Sequence, residues 1–177
     1  MSLSLEIREQ VRQRARRACE FCGVSEVDVG GLLTIDHFHP QSKGGSDDLD
    51  NLIYCCVRCN QYKQDYWPTC EADPMLWNPR QGNTSGNFVE LEDGRVVGIS
   101  SCGEFTILRL RLNRAPLVEY RMRRRQQAEQ TRLLQRYRDL VALLTQANGQ
   151  LSDLLLEQQQ LLQEQRDLLR FLLEQQE

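Results

Sequence analysis

The sequence predicts an α+β protein built from three successive parts. Residues 1–66 form a small core stapled by cysteines, residues 67–115 form an accessory region of loop, β-hairpin and short helix, and residues 116–177 form a long helical, coiled-coil-like tail. Three observations predict this arrangement. Two Cys-x-x-Cys pairs enclose a short strand pattern, an Asp-Gly turn separates two alternating runs, and leucine pairs recur every seven residues near the end of the chain.

The first part alternates short elements with turn residues. Residues 4–17 carry an apolar stripe at helical spacing and predict a helix. A tight cysteine turn follows at residues 19–23. The run LLTID after Gly30-Gly31 predicts a strand that leads into His37, and NQYKQD after the second cysteine pair suits a short helix.

Four of the seven cysteines form two Cys-x-x-Cys pairs that are separated by 33 residues: Cys19, Cys22, Cys56 and Cys59. Four thiolates offer the tetrahedral set of soft ligands that Zn²⁺ fills, and a small domain with few apolar residues needs such a staple. Because four protein ligands leave no position for water, we expect this zinc to be structural. The alternative is four ordinary buried or reactive thiols.

The segment between the cysteine pairs concentrates residue types that can hydrolyse a phosphodiester. A neutral imidazole near pH 7 suits the base that activates water, and His37 lies at a strand end that faces a polar loop. Asp36 alternates to the other face and offers a hard oxygen to Mg²⁺ or Mn²⁺. Asn60 follows the second pair. A zinc that ties its helix to the strand would bring its amide oxygen and Asp36 to one metal.

The same segment resembles the HNH endonucleases, the ββα-metal nuclease family, over residues 19–66. The shared pattern is an Asp-His pair at a strand end, then Pro40, Ser42, Gly44-Gly45, Asn51-Leu52 and a Cys-x-x-Cys-Asn-x-x-Lys run from Cys56 to Lys63. The resemblance implies a small zinc-stapled ββα-metal (HNH) core with His37 as the base. It also implies that Asn51 holds the loop and orients His37. The final residue of the family motif is often His. In this sequence, Asn60 occupies that position.

Several basic side chains are candidate DNA contacts. Lys63 is expected to hold a phosphate, with a solvated surface lysine as the alternative. His39 lies two residues beyond His37 on an extended strand, so both should point the same way, and His39 could touch the substrate or the metal. The run RMRRR is expected to reach DNA phosphates through four arginines, with a plain solvated face as the alternative: Arg121, Arg123, Arg124 and Arg125.

The net charge of −3 does not exclude a nucleic-acid partner, because it averages unlike regions. Residues 109–138 contain ten arginines against two glutamates, whereas residues 151–177 contain two arginines against six acidic residues. Apolar runs are too short for a membrane span, and the N-terminus lacks the apolar core of a signal peptide. We therefore expect a soluble, cytoplasmic protein without a membrane partner.

The accessory region has its own turn and cap signals. Asn78-Pro79-Arg80, the hairpin around Asp93-Gly94 and the segment 112–114 resemble a region that often follows the HNH core in bacterial proteins. A packing cap on the core is the alternative to a substrate role. Ser100 or Ser101 should cap a short helix, and Pro116 suits the first turn of the tail helix.

Leucine pairs recur every seven residues in the tail, with a break at residues 147–149: Leu133-Leu134, Leu140-Val141, Leu154-Leu155, Leu161-Leu162 and Leu168-Leu169. Leu144, Leu151 and Leu172 occupy the complementary heptad position, together with Gln158 and Gln165. This pattern favours a homodimer or a partner helix. Packing of the tail on the core is the alternative.

These observations lead to one main hypothesis and one alternative. The main hypothesis is a metal-dependent HNH endonuclease that nicks or cuts both strands of DNA, with restriction or antiphage defence as the candidate setting. The alternative is a non-catalytic, zinc-knuckle DNA-binding subunit that its helical tail docks onto a larger complex. A pure zinc module needs none of Asp36, His37, Asn51 and Asn60, and their presence favours the enzyme.

Overall fold

The computed structural model describes residues 3–174, and the side chains of residues 3–171. Its helices are α1 (Leu5–Arg14), α2 (Glu26–Val29), α3 (Val57–Lys63), α4 (Ser101–Leu110) and α5 (Ala115–Glu174). Its strands are β1 (Thr34–His37), β2 (Leu52–Cys55), β3 (Phe88–Glu90) and β4 (Val96–Gly98). The predicted α+β class is therefore confirmed. Residues 175–177 of the predicted tail, and the side chain of Leu172, lie outside the described part.

The chain divides into two compact units, Met1–Arg125 and Gln126–Glu177. The strands, α1 to α4 and the first turns of α5 belong to the first unit, and the remainder of α5 belongs to the second. Among residues 3–174, no helix combines the length and the apolar character that crossing a membrane requires.

The β1–β2 hairpin is the centre of the first unit. The strands are antiparallel, with Asp36 opposite Ile53 and His37 opposite Leu52. All four residues of β2 are buried, because the strand is covered on both faces. Its side chains alternate between two apolar clusters: Ile53 joins the main core, whereas Leu52 joins a smaller cluster with Val11 of α1.

Helix α2 is a single turn that the sequence pattern did not predict. Ser25 and Asp28 form a reciprocal capping box, and Gly30 ends the helix at φ +70°. Glu26 bonds the Arg12 guanidinium and the Tyr54 hydroxyl, which together lower the pKa of Glu26 to about 2. This contact fixes α2 to α1 and β2.

The predicted hairpin and its following helix are both present. β3 and β4 pair antiparallel around the Asp93-Gly94 turn, where Gly94 has φ +78°. The Ser100 side chain accepts from the backbone N–H of Gly103 at 3.0 Å, and α4 begins at the next residue. Asn113 joins the turn before α5 to β4, because its side chain bonds both the N–H and the C=O of Val96.

One hydrophobic core joins all three predicted segments of the chain. It contains the four paired cysteines together with Phe38, Ile53, Leu76, Trp77, Leu110, Leu112 and Leu117. Polar contacts reinforce the same junction, since Arg80 Nη1 lies 3.0 Å from Glu20 Oε1. The accessory region and the start of α5 are thus packed against the cysteine core.

We predict that Ser100→Ala destabilises the first unit by about 1 kcal/mol, because the first turn of α4 loses its cap. Ser101→Ala is the matched control, since Ser101 is exposed and begins the helix without capping it. Urea unfolding of both variants measures the difference. Equal midpoints for the two would contradict the assigned cap.

Candidate metal centre and active site

The two cysteine pairs meet in space. The sulfurs of Cys19, Cys22, Cys56 and Cys59 all lie within 4.8 Å of one another, and all four residues are buried. Cys22 Sγ and Cys56 Sγ are 3.7 Å apart. A tetrahedral zinc with Zn–S bonds of about 2.3 Å separates its sulfurs by about 3.8 Å. The four thiols therefore fit Zn²⁺ in number, chemistry and spacing.

Local backbone geometry explains how each pair converges. Gly23 adopts φ +76° and its N–H bonds the carbonyl of Cys19, which closes the first turn. Cys56 is the N-cap of α3, and its sulfur accepts from the N–H of Cys59 at 3.4 Å. Hydrogen bonds from Cys19 and the other clustered thiols hold the pKa of Cys56 far below the ordinary thiol range, so a thiolate is favoured there.

A cation from the accessory region faces this cluster. Arg114 Nη2 lies 3.9 Å from Cys59 Sγ, and the guanidinium stacks over the ring of Tyr62 at 5.6 Å. Four thiolates around Zn²⁺ carry a net charge of −2, which a buried site must balance. With zinc bound, Arg114 would supply part of that balance.

Lys63 of α3 is buried beneath the end of β1. Its side chain has 0% exposure, and its Nζ lies 2.9 Å from Asp36 Oδ2 and donates to the carbonyl of His37 at 2.8 Å. The predicted position of Lys63 at the surface, where it would hold a phosphate, is therefore not observed. Lys63 instead ties α3 to the two adjacent residues that were predicted to be catalytic.

Asp36 retains capacity for a further ligand. Lys63 Nζ is at ion-pair distance from Oδ2, but not in hydrogen-bond geometry, and this buried oxygen accepts no hydrogen bond within the described residues. Asn60 lies three residues before Lys63, so both occupy one face of α3. Its side-chain amide makes no hydrogen bond in the described chain, whereas its backbone groups continue the helix. These oxygens suit a hard divalent cation.

His37 has a carboxylate partner that sequence analysis missed. His37 Nε2 lies 2.7 Å from Asp47 Oδ1, and the imidazole side chain is 17% exposed. Gln41 Nε2 donates to the same carboxylate oxygen at 2.7 Å. The bond to His37 is the main reason why the pKa of Asp47 is lowered. Asp47 is one of several acids in a polar loop, and nothing in the local pattern distinguishes it.

Asn51 closes that loop through the backbone. Its Oδ1 accepts from the N–H of His39 at 2.8 Å, and its Nδ2 donates to the carbonyls of His39 and Ser46 at 3.0 and 2.7 Å. Gly45 permits the close approach, because a Cβ there would lie 1.8 Å from the His39 carbonyl oxygen. The loop that carries Asp47 is thus held to the residues that follow His37.

The strand alternation ends at His37. Phe38 and His39 are neighbours in sequence, yet both contact Trp67, edge-on at 5.9 Å and stacked at 3.9 Å respectively. On an extended strand, His37 and His39 would point the same way and share one environment. His39 instead stacks on Trp67, so the two imidazoles have different environments. It lines a cavity of about 440 Å³, and its buried Nε2 has no hydrogen-bond partner in the described residues.

The predicted arginine cluster is divided by burial. Arg121 is 4% exposed and donates to the carbonyls of Gly94 and Leu112, so no surface remains on it for a phosphate. We therefore remove Arg121 from the predicted DNA contacts and assign it to the packing of α5. The other three arginines of the cluster are exposed: Arg123, Arg124 and Arg125.

Residues 19–65 match the family model described as HNH endonuclease. This match confirms the resemblance predicted over residues 19–66 and identifies an HNH endonuclease domain in that part of the chain. The family consists in general of nucleases, so the domain is of a nucleic-acid-binding type. A comparison with curated proteins returned no match to the chain.

We predict one zinc per chain and loss of both zinc and fold in Cys59→Ser, because zinc-binding free energy is also folding free energy. Elemental analysis and the thermal transition measure the two effects. Cys70→Ser is the matched control, since Cys70 is exposed and outside the cluster. A zinc-free protein with an unchanged thermal transition would contradict the assignment.

We predict that Lys63→Met lowers the free energy of unfolding by about 3 kcal/mol, because Asp36 is left without its buried counter-charge. Adding Asp36→Asn should recover part of this loss. Lys43→Met, at an exposed lysine, should change stability by less than about 0.5 kcal/mol. Strictly additive effects of Lys63→Met and Asp36→Asn in denaturant unfolding would disprove the pairing.

Proposed function

We propose that the HNH endonuclease domain is catalytically active and that the protein is a metal-dependent endonuclease that hydrolyses DNA phosphodiester bonds. The observation that carries the proposal is the His37–Asp47 pair, at 2.7 Å, beside a buried Asp36 oxygen that lacks a hydrogen bond. A zinc module that only binds DNA requires neither feature. An enzyme requires a base and a cation site, and these residues supply both.

His37 acts as the general base. An ionised carboxylate only accepts hydrogen bonds, so the Asp47 contact assigns the proton of neutral His37 to Nε2. Nδ1 then carries the free lone pair that removes a proton from the attacking water. Asp47 is a positioning residue, because it holds the ring orientation and stabilises the imidazolium that forms. Asn51 supports both by holding the loop.

Asp36 and Asn60 would hold the divalent cation, Mg²⁺ or Mn²⁺. When bound, the cation stabilises negative charge on the phosphate and on the leaving oxygen. Lys63 pairs with the Asp36 carboxylate and bonds the backbone carbonyl of His37, so base and cation ligand stay adjacent. Lys63 thereby contributes through position rather than through phosphate contact.

Exposed arginines at the end of the first unit supply the electrostatic attraction to DNA. Arg124 Nη2 lies 3.2 Å from Glu90, and Arg125 Nη2 lies 3.8 Å from Glu92. Such exposed pairs are weak, so phosphates can replace the glutamates. Arg123 is exposed as well. The three side chains form the proposed phosphate-binding cluster near the start of α5.

A second copy of the chain is the proposed partner of the second unit. All described side chains of residues 126–171 are exposed, and the repeated leucines expose between 50% and 62% of their surface. An identical helix offers the same seven-residue spacing, so the two leucine faces are complementary. Gln158 and Gln165 lie on that face, where polar residues cost stability but favour one register. Two nuclease domains per dimer would allow both strands to be cut.

We predict that His37→Ala lowers DNA cleavage by about 10²- to 10⁴-fold, because the reaction loses its general base. Relaxation of supercoiled plasmid with Mg²⁺ or Mn²⁺ measures the rate. Asp47→Asn should cause a smaller loss, since the ring remains but is no longer held by a charge.

Zinc content, the thermal transition and DNA affinity should all match the wild type in both variants, which separates chemistry from folding. Wild-type protein that binds plasmid but leaves it intact with either cation would favour the non-catalytic DNA-binding subunit. A folded His37→Ala protein that cuts at the wild-type rate would remove His37 from the mechanism.

We predict that Leu161→Lys weakens dimerisation at least about tenfold, because a buried seam leucine contributes roughly 1.5–3 kcal/mol. Leu156→Lys is the matched control: it lies on the opposite heptad face, although both leucines are similarly exposed in one chain, at 55% and 61%. Sedimentation over a concentration series measures the dissociation constant.

Removal of the chain after residue 130 should yield a folded, zinc-containing monomer that nicks plasmid rather than linearising it. Monomeric full-length protein at tens of micromolar would exclude the dimer.

A further inference from the structure

The cavity beside the candidate active site has a chemistry that the proposed mechanism does not use. Asp47, the partner of His37, lies between Ser46 and Asp48, and both of these neighbours line the cavity. Successive Cα atoms are about 3.8 Å apart, so the cavity begins within roughly one nucleotide of the catalytic imidazole. Whatever occupies it therefore lies next to the reacting phosphate.

The cavity walls combine a flat aromatic surface with polar groups. His39 and Trp67 form the aromatic part, with ring centroids 3.9 Å apart and planes 19° from parallel. Further lining residues are Asp48, Asp50, Asn78 and Gln81. The Gln81 amide and the Asp50 carboxylate make no side-chain hydrogen bond in the described chain, and the buried His39 Nε2 is also unpaired there.

This lining disfavours a phosphate group and favours a nucleobase. No lysine or arginine among the described residues lines the cavity, whereas two carboxylates do, so a phosphate would be repelled. Carboxylate oxygens accept from the N–H groups of nucleobases, and amides pair with base edges. Aromatic rings stack on any base. The volume of about 440 Å³ is that of a small-molecule site.

We propose that the cavity receives one unpaired nucleobase of the DNA substrate, with guanine, which presents two N–H donors on its pairing edge, as the best fit. The proposal rests on the proposed nuclease function and narrows its substrate to DNA that offers an unpaired base beside the cleaved bond. In a fully paired duplex, a base must first be unstacked and unpaired, at a cost of a few kcal/mol. A bulge, gap or branch already offers an unpaired base, so this cost does not arise there.

The test compares two fluorescein-labelled duplexes that differ by one unpaired guanine. Binding is measured by anisotropy with Mg²⁺ in the His37→Ala protein, so that cleavage does not interfere. The duplex with the unpaired guanine should bind about tenfold more tightly, which corresponds to about 1.4 kcal/mol and lies within the range of one base–aromatic stack.

Two cavity variants in the same background locate the preference. Trp67→Ala should abolish it while leaving the affinity for the paired duplex unchanged. Asp50→Asn, which is nearly isosteric, should reduce it about threefold. Asp65→Asn is the matched control, because Asp65 is exposed and outside the cavity. If Trp67→Ala loses its thermal transition, Asp50→Asn decides the question alone.

Equal affinity for the two duplexes would overturn the proposal, as would a preference that survives Asp50→Asn unchanged. These failures differ from failure of the proposed function. Wild-type protein that cuts paired plasmid without preferring the unpaired guanine remains a nuclease and loses only this subsite. Protein that binds neither duplex would contradict both proposals.

Discussion

The convergence of four cysteine sulfurs within 4.8 Å is the constraint on which the rest of the first unit depends. Two of these sulfurs precede the β1–β2 hairpin and two begin α3, so their common centre fixes the helix against the strands. Lys63, at the end of α3, then reaches the carbonyl of His37 and the carboxylate of Asp36. The site exists because the cysteines set the position of this helix.

Buried and half-buried cations do much of the positioning in this small domain. Lys63 neutralises Asp36, Arg114 faces the sulfur of Cys59, and Arg121 bonds two backbone carbonyls between the β3–β4 turn and α5. Each is a long side chain that satisfies polar groups which an apolar residue would leave unpaired. The apolar core can therefore stay small, because charged side chains join elements that have little hydrophobic surface to share.

Sequence patterns predicted the elements more completely than the pairing of side chains. The knuckles, β1 ending at His37, the Asp93-Gly94 hairpin and the Ser100 cap all follow from local rules, and the structure contains them. Asp47 was missed because its pairing depends on a loop closed by distant backbone bonds. Lys63 was expected to hold a phosphate or to be a solvated surface lysine, and its full burial is rare for a lysine.

Two other features, the burial of Arg121 and the short helix α2, could have been predicted from the sequence. Arg121 lies four residues after the buried Leu117, so helical spacing places both on one face of α5. The Ser25–Asp28 spacing around α2 is that of a capping box, although the helix is only one turn long. The remaining features, including the stack of His39 on Trp67, depend on contacts between residues that are distant in the sequence. Local sequence patterns do not predict such contacts.

The contact between Gly45 and the His39 carbonyl has a consequence for how this domain can vary. The three atoms nearest to a Cβ at position 45 are the oxygen and carbon of the His39 carbonyl and the Nδ2 of Asn51 that bonds it. A side chain at 45 and a lost amide at 51 would thus break the same contact. Their effects would be non-additive, so the two positions form one epistatic pair: a change at either one alters the cost of a change at the other.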